Sequence, residues 1–162
     1  MTSSDTPVIY ILDTAVFIKN ASSWFHDKMC ITTYSVYEEL ITMPAKMEFE
    51  KMQLQGMELY SPKQKYKEEI KKRYSYLKLS ETDIELLAIA LELKEKGKKI
   101  IMVTDDYSIQ DVCKKENIPF MSVERGTITK SLEWKKICPS CKKEITQDIC
   151  EVCGSKSIWI SK

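Results

Sequence analysis

Lys99-Ile-Ile-Met-Val-Thr104, closing in Asp105-Asp106, is the stretch on which the fold of this 162-residue chain turns. Its apolar residues run without alternation, the pattern of a strand covered on both faces, which belongs to a parallel sheet with helices on either side. Val8-Ile-Tyr-Ile-Leu12 is a second such run, and it too stops at an aspartate, Asp13. Lys28–Thr33, Met57–Tyr60 and Ile118–Val123 read as three more short strands. Helices are expected from Ala15, from about Ser35 with Val36 and Leu40 on its buried face, over Lys63–Lys78, from Ser80 to Gly97, and over Ser108–Glu116. Strands alternating with helices predict an α/β fold of three layers around a parallel central sheet, with right-handed crossovers. Residues 43–57, with methionines at 43, 47, 52 and 57 among charges, read either as a helix end with an irregular excursion or as a mobile arm.

In open parallel sheets, ligands gather at the carboxyl ends of the strands. Asp13 and the Asp105-Asp106 pair should therefore share one crevice. Two further acids are candidates to join them: Glu38 or Glu39, expected at the start of the helix after the second strand, and Asp83 in the first turn of the Ser80 helix. Three or four carboxylates in one crevice repel each other unless cations neutralise them, and hard oxygen donors select Mg²⁺ or Mn²⁺. That combination suits phosphodiester hydrolysis, in which metals activate water, hold the phosphate and stabilise the leaving oxygen. Each acid also has an ordinary structural role: Asp13 and Asp105 as helix N-caps, Asp83 as the N3 partner of a capping box.

Near the C-terminus, Cys138-Pro-Ser-Cys141 and Cys150-Glu-Val-Cys153 form two C-x-x-C pairs. This spacing fits one tetrahedral zinc held by four thiolates, and Gly154 can supply the bend after the second pair. Two disulfides are the alternative, but nothing in the sequence points to an oxidising compartment. From Trp134 to Lys162 the net charge is +3, against −2 for the remainder. A basic, zinc-stapled ribbon with Trp134 and Trp159 beside it is a plausible grip on nucleic acid. With every zinc position filled by sulfur, the zinc is expected to be structural. The segment Lys63–Lys78 carries seven basic residues with tyrosines at 66, 74 and 76; it is either an RNA-facing surface or a solvated helix face diluted by Glu68 and Glu69. Lys71, Lys72 and Arg73 on this helix and Lys142 and Lys143 on the ribbon are the candidate RNA contacts.

The length accommodates one domain with its own core plus the ribbon, which is too small to fold without metal. The expected division is a nuclease-like domain over 1–124, a linker over 125–133 and a ribbon over 134–162. An apolar share of 43% with 30% charged residues belongs to a soluble globular protein. No apolar run of 18 residues occurs, and the polar start lacks the parts of a signal peptide, so no membrane association and a cytoplasmic location are expected. A single histidine, His26, excludes histidine-pair acid–base catalysis within one chain and leaves a serine triad no support from a nucleophile-elbow sequence. Four glycines and no phosphate loop argue against P-loop and dinucleotide-binding enzymes. Cys30 and Cys113 read as small buried apolar residues.

Four segments then resemble, in order, the motifs of PIN-domain nucleases: Ile11–Ile18, Thr33-x-x-Val36-x-x-Glu39-Leu40, Leu79–Ala88, and Val103-Thr104-Asp105-Asp106. With the four-cysteine ribbon, the chain is similar to the Nob (NIN-one-binding) type endoribonucleases of archaea and eukaryotes. That resemblance implies a metal-dependent endoribonuclease cutting precursor small-subunit rRNA at its mature 3′ end, with a pre-ribosomal particle as partner. It implies Asp13, Glu39 and Asp83 as metal-binding acids, with Glu39 favoured over Glu38 by the Val-x-x-Glu-Leu spacing. The fourth acid is Asp106 or Asp105; the Thr-x-Asp spacing favours Asp106, with Asp105 ordering the turn. The rivals are a toxin-type PIN ribonuclease acting on tRNA or mRNA, against which the ribbon speaks, and a non-catalytic RNA-binding assembly factor, which has no need of clustered acids.

Overall fold

The structure is a computed structural model that describes residues 6–123 and 134–161. Five parallel strands form one sheet: β1 (Val8–Leu12), β2 (Met29–Thr32), β3 (Glu58–Leu59), β4 (Lys99–Val103) and β5 (Phe120–Met121), in the order β3-β2-β1-β4-β5. The three-layer parallel expectation holds. β1 and β4 are central because their apolar runs suit burial on both faces; Ile11, Leu12, Met102 and Val103 are fully buried. The edge strands are only two residues long, shorter than the sequence suggested.

The helices are α1 (Ala15–Ile18), α2 (Tyr34–Glu39), α3 (Met43–Leu54), α4 (Gln64–Arg73), α5 (Glu81–Glu95) and α6 (Tyr107–Lys115). α5 is the axis of the domain. Its central residues Leu86–Ala90 are inaccessible, as in a helix covered on every side. It starts with a reciprocal capping box: the Ser80 Oγ accepts from the Asp83 N–H, and the Asp83 carboxylate accepts from the Ser80 N–H.

Several expectations require correction. Residues 43–57 are neither excursion nor arm, because most of them form α3, a regular helix. Thr42 caps it by accepting from the Ala45 N–H, Pro44 sits in its first turn, and Ala45, Phe49 and Met52 face the core. α2 spans only six residues, so Glu39 ends the helix instead of starting it, and Leu40 is buried just beyond in extended backbone. α4 stops at Arg73, five residues early, because Tyr74 turns inward to donate its hydroxyl to Glu116 at 2.7 Å. Tyr66 and Tyr74 are buried in the domain and are not available to stack on bases; Tyr76 remains exposed.

Strands β6 (Trp134–Ile137) and β7 (Ile158–Ser161) pair antiparallel and carry the cysteine turns between them. β7 packs against α5. The Trp159 ring centroid lies 4.5 Å from the Lys99 ammonium and 5.2 Å from that of Lys136, two cation–π contacts. The indole expected beside a nucleic acid thus helps seat the ribbon on the start of β4. The expected linker, Arg125–Thr129 included, and the side chain of Trp134 lie outside the described residues.

Candidate active site and metal centre

The chain order reverses across the sheet between β1 and β4, the place where parallel sheets open a crevice. Leu12 pairs with Val103, and the Asp13 N–H extends the ladder by donating to the Val103 carbonyl at 3.0 Å. Asp13 and Thr104 consequently leave the sheet side by side. The fully buried Thr104 hydroxyl donates to Asp13 Oδ2 at 2.7 Å and accepts the Asp106 N–H at 3.0 Å. Thr14 N–H holds the other Asp13 oxygen at 2.7 Å. One small hydroxyl therefore fixes the first acid against the backbone of the last.

Asp106 N-caps α6, its Oδ1 accepting from the N–H groups of Ser108 at 2.8 Å and Ile109 at 3.3 Å. Its Oδ2 has no hydrogen-bond partner among the described residues. Asp105 is engaged on both oxygens. Oδ1 accepts from Ser122 Oγ at 2.6 Å and the Val123 N–H at 2.7 Å, while Oδ2 receives the Lys19 ammonium. Asp105 thus ties the turn to the end of β5 and to α1, and Asp106 keeps an oxygen to offer.

Asp13, Glu39, Asp83, Asp105 and Asp106 line one crevice of about 440 Å³, together with Lys19. Glu38 does not line it. Burial pushes the Asp13 carboxyl up, opposed by the Thr104 and Thr14 hydrogen bonds and reinforced by the charges of Asp106 and Glu39. Burial likewise raises Asp83, against its Ser80 N–H bond, with Asp106 and Asp13 adding repulsion. For Asp105, burial pushes upward, yet Lys19, Ser122 and Val123 together carry it below the usual range. The capping role of Asp83 and its place in the crevice coexist, because the cap uses only Oδ2. No three of the crevice carboxylates come within 4.8 Å of one another. All are hard oxygen donors, a set that fits a hard divalent cation.

The ribbon differs. Among the described residues, the sulfurs of Cys138, Cys141, Cys150 and Cys153 are the one such group lying within 4.8 Å of one another. Cys141 and Cys150 Sγ are 3.9 Å apart; a tetrahedral zinc with bonds of about 2.3 Å requires sulfurs about 3.8 Å apart. The cysteines are unpaired as disulfides. Both turns have one design. Lys142 N–H bonds the Cys138 carbonyl at 2.8 Å, Gly154 N–H bonds the Cys150 carbonyl at 2.9 Å, and both residues take positive φ, 64° and 69°. The Cys141 backbone N–H helps bring Cys138 down to about 6, while hydrogen bonding to Cys141 pushes Cys153 up to about 12. The donor set fits zinc. Cys30 and Cys113 are buried away from it, and burial drives each thiol up to about 12.

The candidate RNA contacts are dispersed. Lys142 and Lys143 are exposed on the first cysteine turn. Lys71 and Lys72 are exposed on α4, with Lys71 3.9 Å from Glu81. Arg73 is occupied, gripping Glu116 at 2.8 and 3.0 Å and Glu69 at 2.5 Å. His26 is an exposed turn residue, as expected. Lys19 lines the crevice without having been singled out in the sequence, where its one signal is a basic residue at the end of the short helix that Asp13 precedes.

A family profile described as the PIN domain of ribonuclease matches residues 10–93. The chain is 42% identical over 92 residues to the protein named Endoribonuclease Nob1 from Archaeoglobus fulgidus, covering 57% of this chain and 55% of that protein. It is 33% identical over 156 residues to the Methanocaldococcus jannaschii protein of that name, covering 91% and 75% respectively. It is 29% identical over 154 residues to that of Pyrococcus abyssi, covering 90% and 89%. The chain thus spans about half the length of the first relative and most of the other two. The two longer matches are too long to leave out the ribbon. A parallel sheet with acids at its switch point, a four-cysteine ribbon and these matches together place the chain in the Nob1 endoribonuclease family of PIN-domain proteins.

Proposed function

We propose that this protein is a metal-dependent endoribonuclease that cuts precursor small-subunit rRNA at its mature 3′ end within a pre-ribosomal particle. The observation that carries the reading is the convergence of acids from four separate segments on one crevice, in a chain similar to Nob1 proteins over nine-tenths of its length. The division is a PIN domain over 1–124, a linker over 125–133 and a ribbon over 134–162. Asp13, Glu39, Asp83 and Asp106 hold one or two Mg²⁺ or Mn²⁺ ions, and the four cysteines hold one structural zinc. When bound, the crevice metals supply an activated water and charge neutralisation at the scissile phosphate.

The chain's own residues do the positioning. Thr104 and Thr14 fix both oxygens of Asp13, Ser80 fixes Asp83, and the α6 cap presents Asp106. Asp105 holds the turn between them. Lys71, Lys72, Lys142 and Lys143 offer charge to phosphates outside the crevice, and Arg73 does so only by leaving Glu116. A non-catalytic RNA binder has no use for this crevice, because uncompensated carboxylates repel the phosphate it would bind.

The test is incubation of the purified protein with a short single-stranded RNA in Mn²⁺, Mg²⁺ or EDTA. Cleavage should require the divalent ion and leave 3′-hydroxyl and 5′-phosphate ends. Cleavage undiminished in EDTA, or 2′,3′-cyclic phosphate ends, would overturn the metal-dependent mechanism.

A further inference from the structure

We propose that Lys19 is a substrate-contacting residue whose ammonium holds a phosphate of the RNA strand at the wall of the acidic crevice, an inference that rests on the nuclease reading above. Lys19 follows α1 directly, and its backbone N–H donates to the Ala15 carbonyl at 2.9 Å, so its stem starts from a fixed point. Its side chain, 38% exposed, reaches Asp105. Asp105 is itself held from behind by Ser122 and Val123. The ammonium is therefore parked on an anchored carboxylate instead of ranging through solvent.

Its surroundings give that placement meaning. Among the described residues, Lys19 is the one cation lining this crevice, where the charged groups around it are Asp13, Glu39, Asp83, Asp105 and Asp106. A strand carrying one negative charge per phosphate must pass this wall, and metal neutralises only the phosphates it touches. A fixed ammonium supplies attraction where the carboxylates repel. With three donors on one nitrogen, the ammonium can turn one of them to a phosphate oxygen while Asp105 holds it at the wall. Lys19 also supports Asp105, whose side chain is only 14% exposed, and the substrate role is separable from that support because only the former changes RNA affinity.

The experiment uses the full chain and two variants. Lys19→Met keeps the stem and removes the charge; Lys19→Arg keeps the charge. Steady-state cleavage of a short single-stranded RNA is measured in Mn²⁺. Binding of the same RNA is followed by fluorescence anisotropy with Ca²⁺ in place of Mn²⁺, because Ca²⁺ accepts oxygen ligands in looser geometry. Lys19→Met should raise KM and Kd about tenfold, the scale of one hydrogen bond to a charged group. Its kcat should stay within about threefold, the signature of lost uniform binding, and Lys19→Arg should recover most of the affinity. Unchanged affinity in Lys19→Met, or a fall in kcat alone, would overturn the proposal and leave Lys19 as a support for Asp105. If the wild-type protein cuts no RNA, the nuclease reading fails, while the binding measurement still decides the role of Lys19.

Discussion

At the residue scale, the crevice is a problem in charge, and its solution predicts how single substitutions behave. Asp13 and Asp83 have carboxyls pushed above their ordinary range, chiefly by burial. A carboxyl whose pKa is higher folded than unfolded binds its proton more readily in the folded state, so its ionisation costs stability at neutral pH. That cost disappears as pH falls through the raised value. Asp13→Asn should therefore melt higher than wild type at neutral pH without added Mg²⁺ or Mn²⁺, and the difference should shrink toward acid pH. In Mn²⁺ the variant should lose cleavage by more than about a hundredfold, beyond the roughly 10–100-fold cost of losing a residue that merely orients a ligand. Thermal melts across pH with paired cleavage assays check both halves. Glu39→Gln should cost more activity than Glu38→Gln, because only Glu39 lines the crevice; the reverse ranking would remove Glu39 from the site. Asp13, Asp83 and Asp106 were readable in the sequence because strand ends and helix starts are marked by local signals, and Glu39, which ends α2, was readable through its Val-x-x-Glu-Leu spacing. Lys19 was not, since a basic residue at the end of a one-turn helix looks like any solvated lysine until the crevice closes around it.

At the scale of elements, the sequence was most legible where burial is complete and least where methionine and charge mix. β1, β4 and α5 stand out because their apolar runs need cover on every side. α3 was obscured by Met43 and Met47, which are exposed although apolar, while the core spacing of Ala45, Phe49 and Met52 is interrupted by charges. Thr42 followed by Pro44 was the start signal that should have been weighed. Phe49 packs against Phe17 and Tyr37, each with ring centroids 5.0 Å away. Phe49→Ala should cost about 3–5 kcal/mol, measured by urea unfolding; a loss below about 1 kcal/mol would mean α3 is not part of the core. Ser80→Ala should cost about 1 kcal/mol as a lost cap. It should also lower cleavage modestly, because the lost hydroxyl anchors the Asp83 backbone at the crevice, although the Ser80 N–H that holds the carboxylate remains. α4 is legible only in part: its charge pattern fits an RNA face and a solvated face alike, while the structure commits Arg73 to Glu116 and buries two of its expected tyrosines.

At the scale of the whole molecule, the ribbon sits at the start of β4 and the crevice beyond its end, separated by the strand's length, roughly 15 Å at about 3.3 Å per residue. An RNA held by both would run along the domain, which places the ribbon's proposed contacts at a distance from the chemistry. Elemental analysis should find one zinc per chain, and Cys138→Ser with Cys141→Ser should abolish it. The α/β domain should stay folded but melt lower, because Trp159 and β7 leave Lys99 and α5; an unchanged melting temperature would show that this packing carries no stability. A chain ending near Thr129 should bind structured rRNA more weakly and with a shallower salt dependence, since fewer phosphates are neutralised. The most direct measurement is incubation of the 162-residue chain with a precursor RNA spanning the mature small-subunit 3′ end, alongside tRNA and mRNA controls, with the cut mapped at nucleotide resolution. Divalent-dependent cleavage at the mature 3′ end, absent in Asp13→Asn, is the predicted result. Cleavage confined to the tRNA or mRNA, or no cleavage of the precursor in either metal, would contradict it.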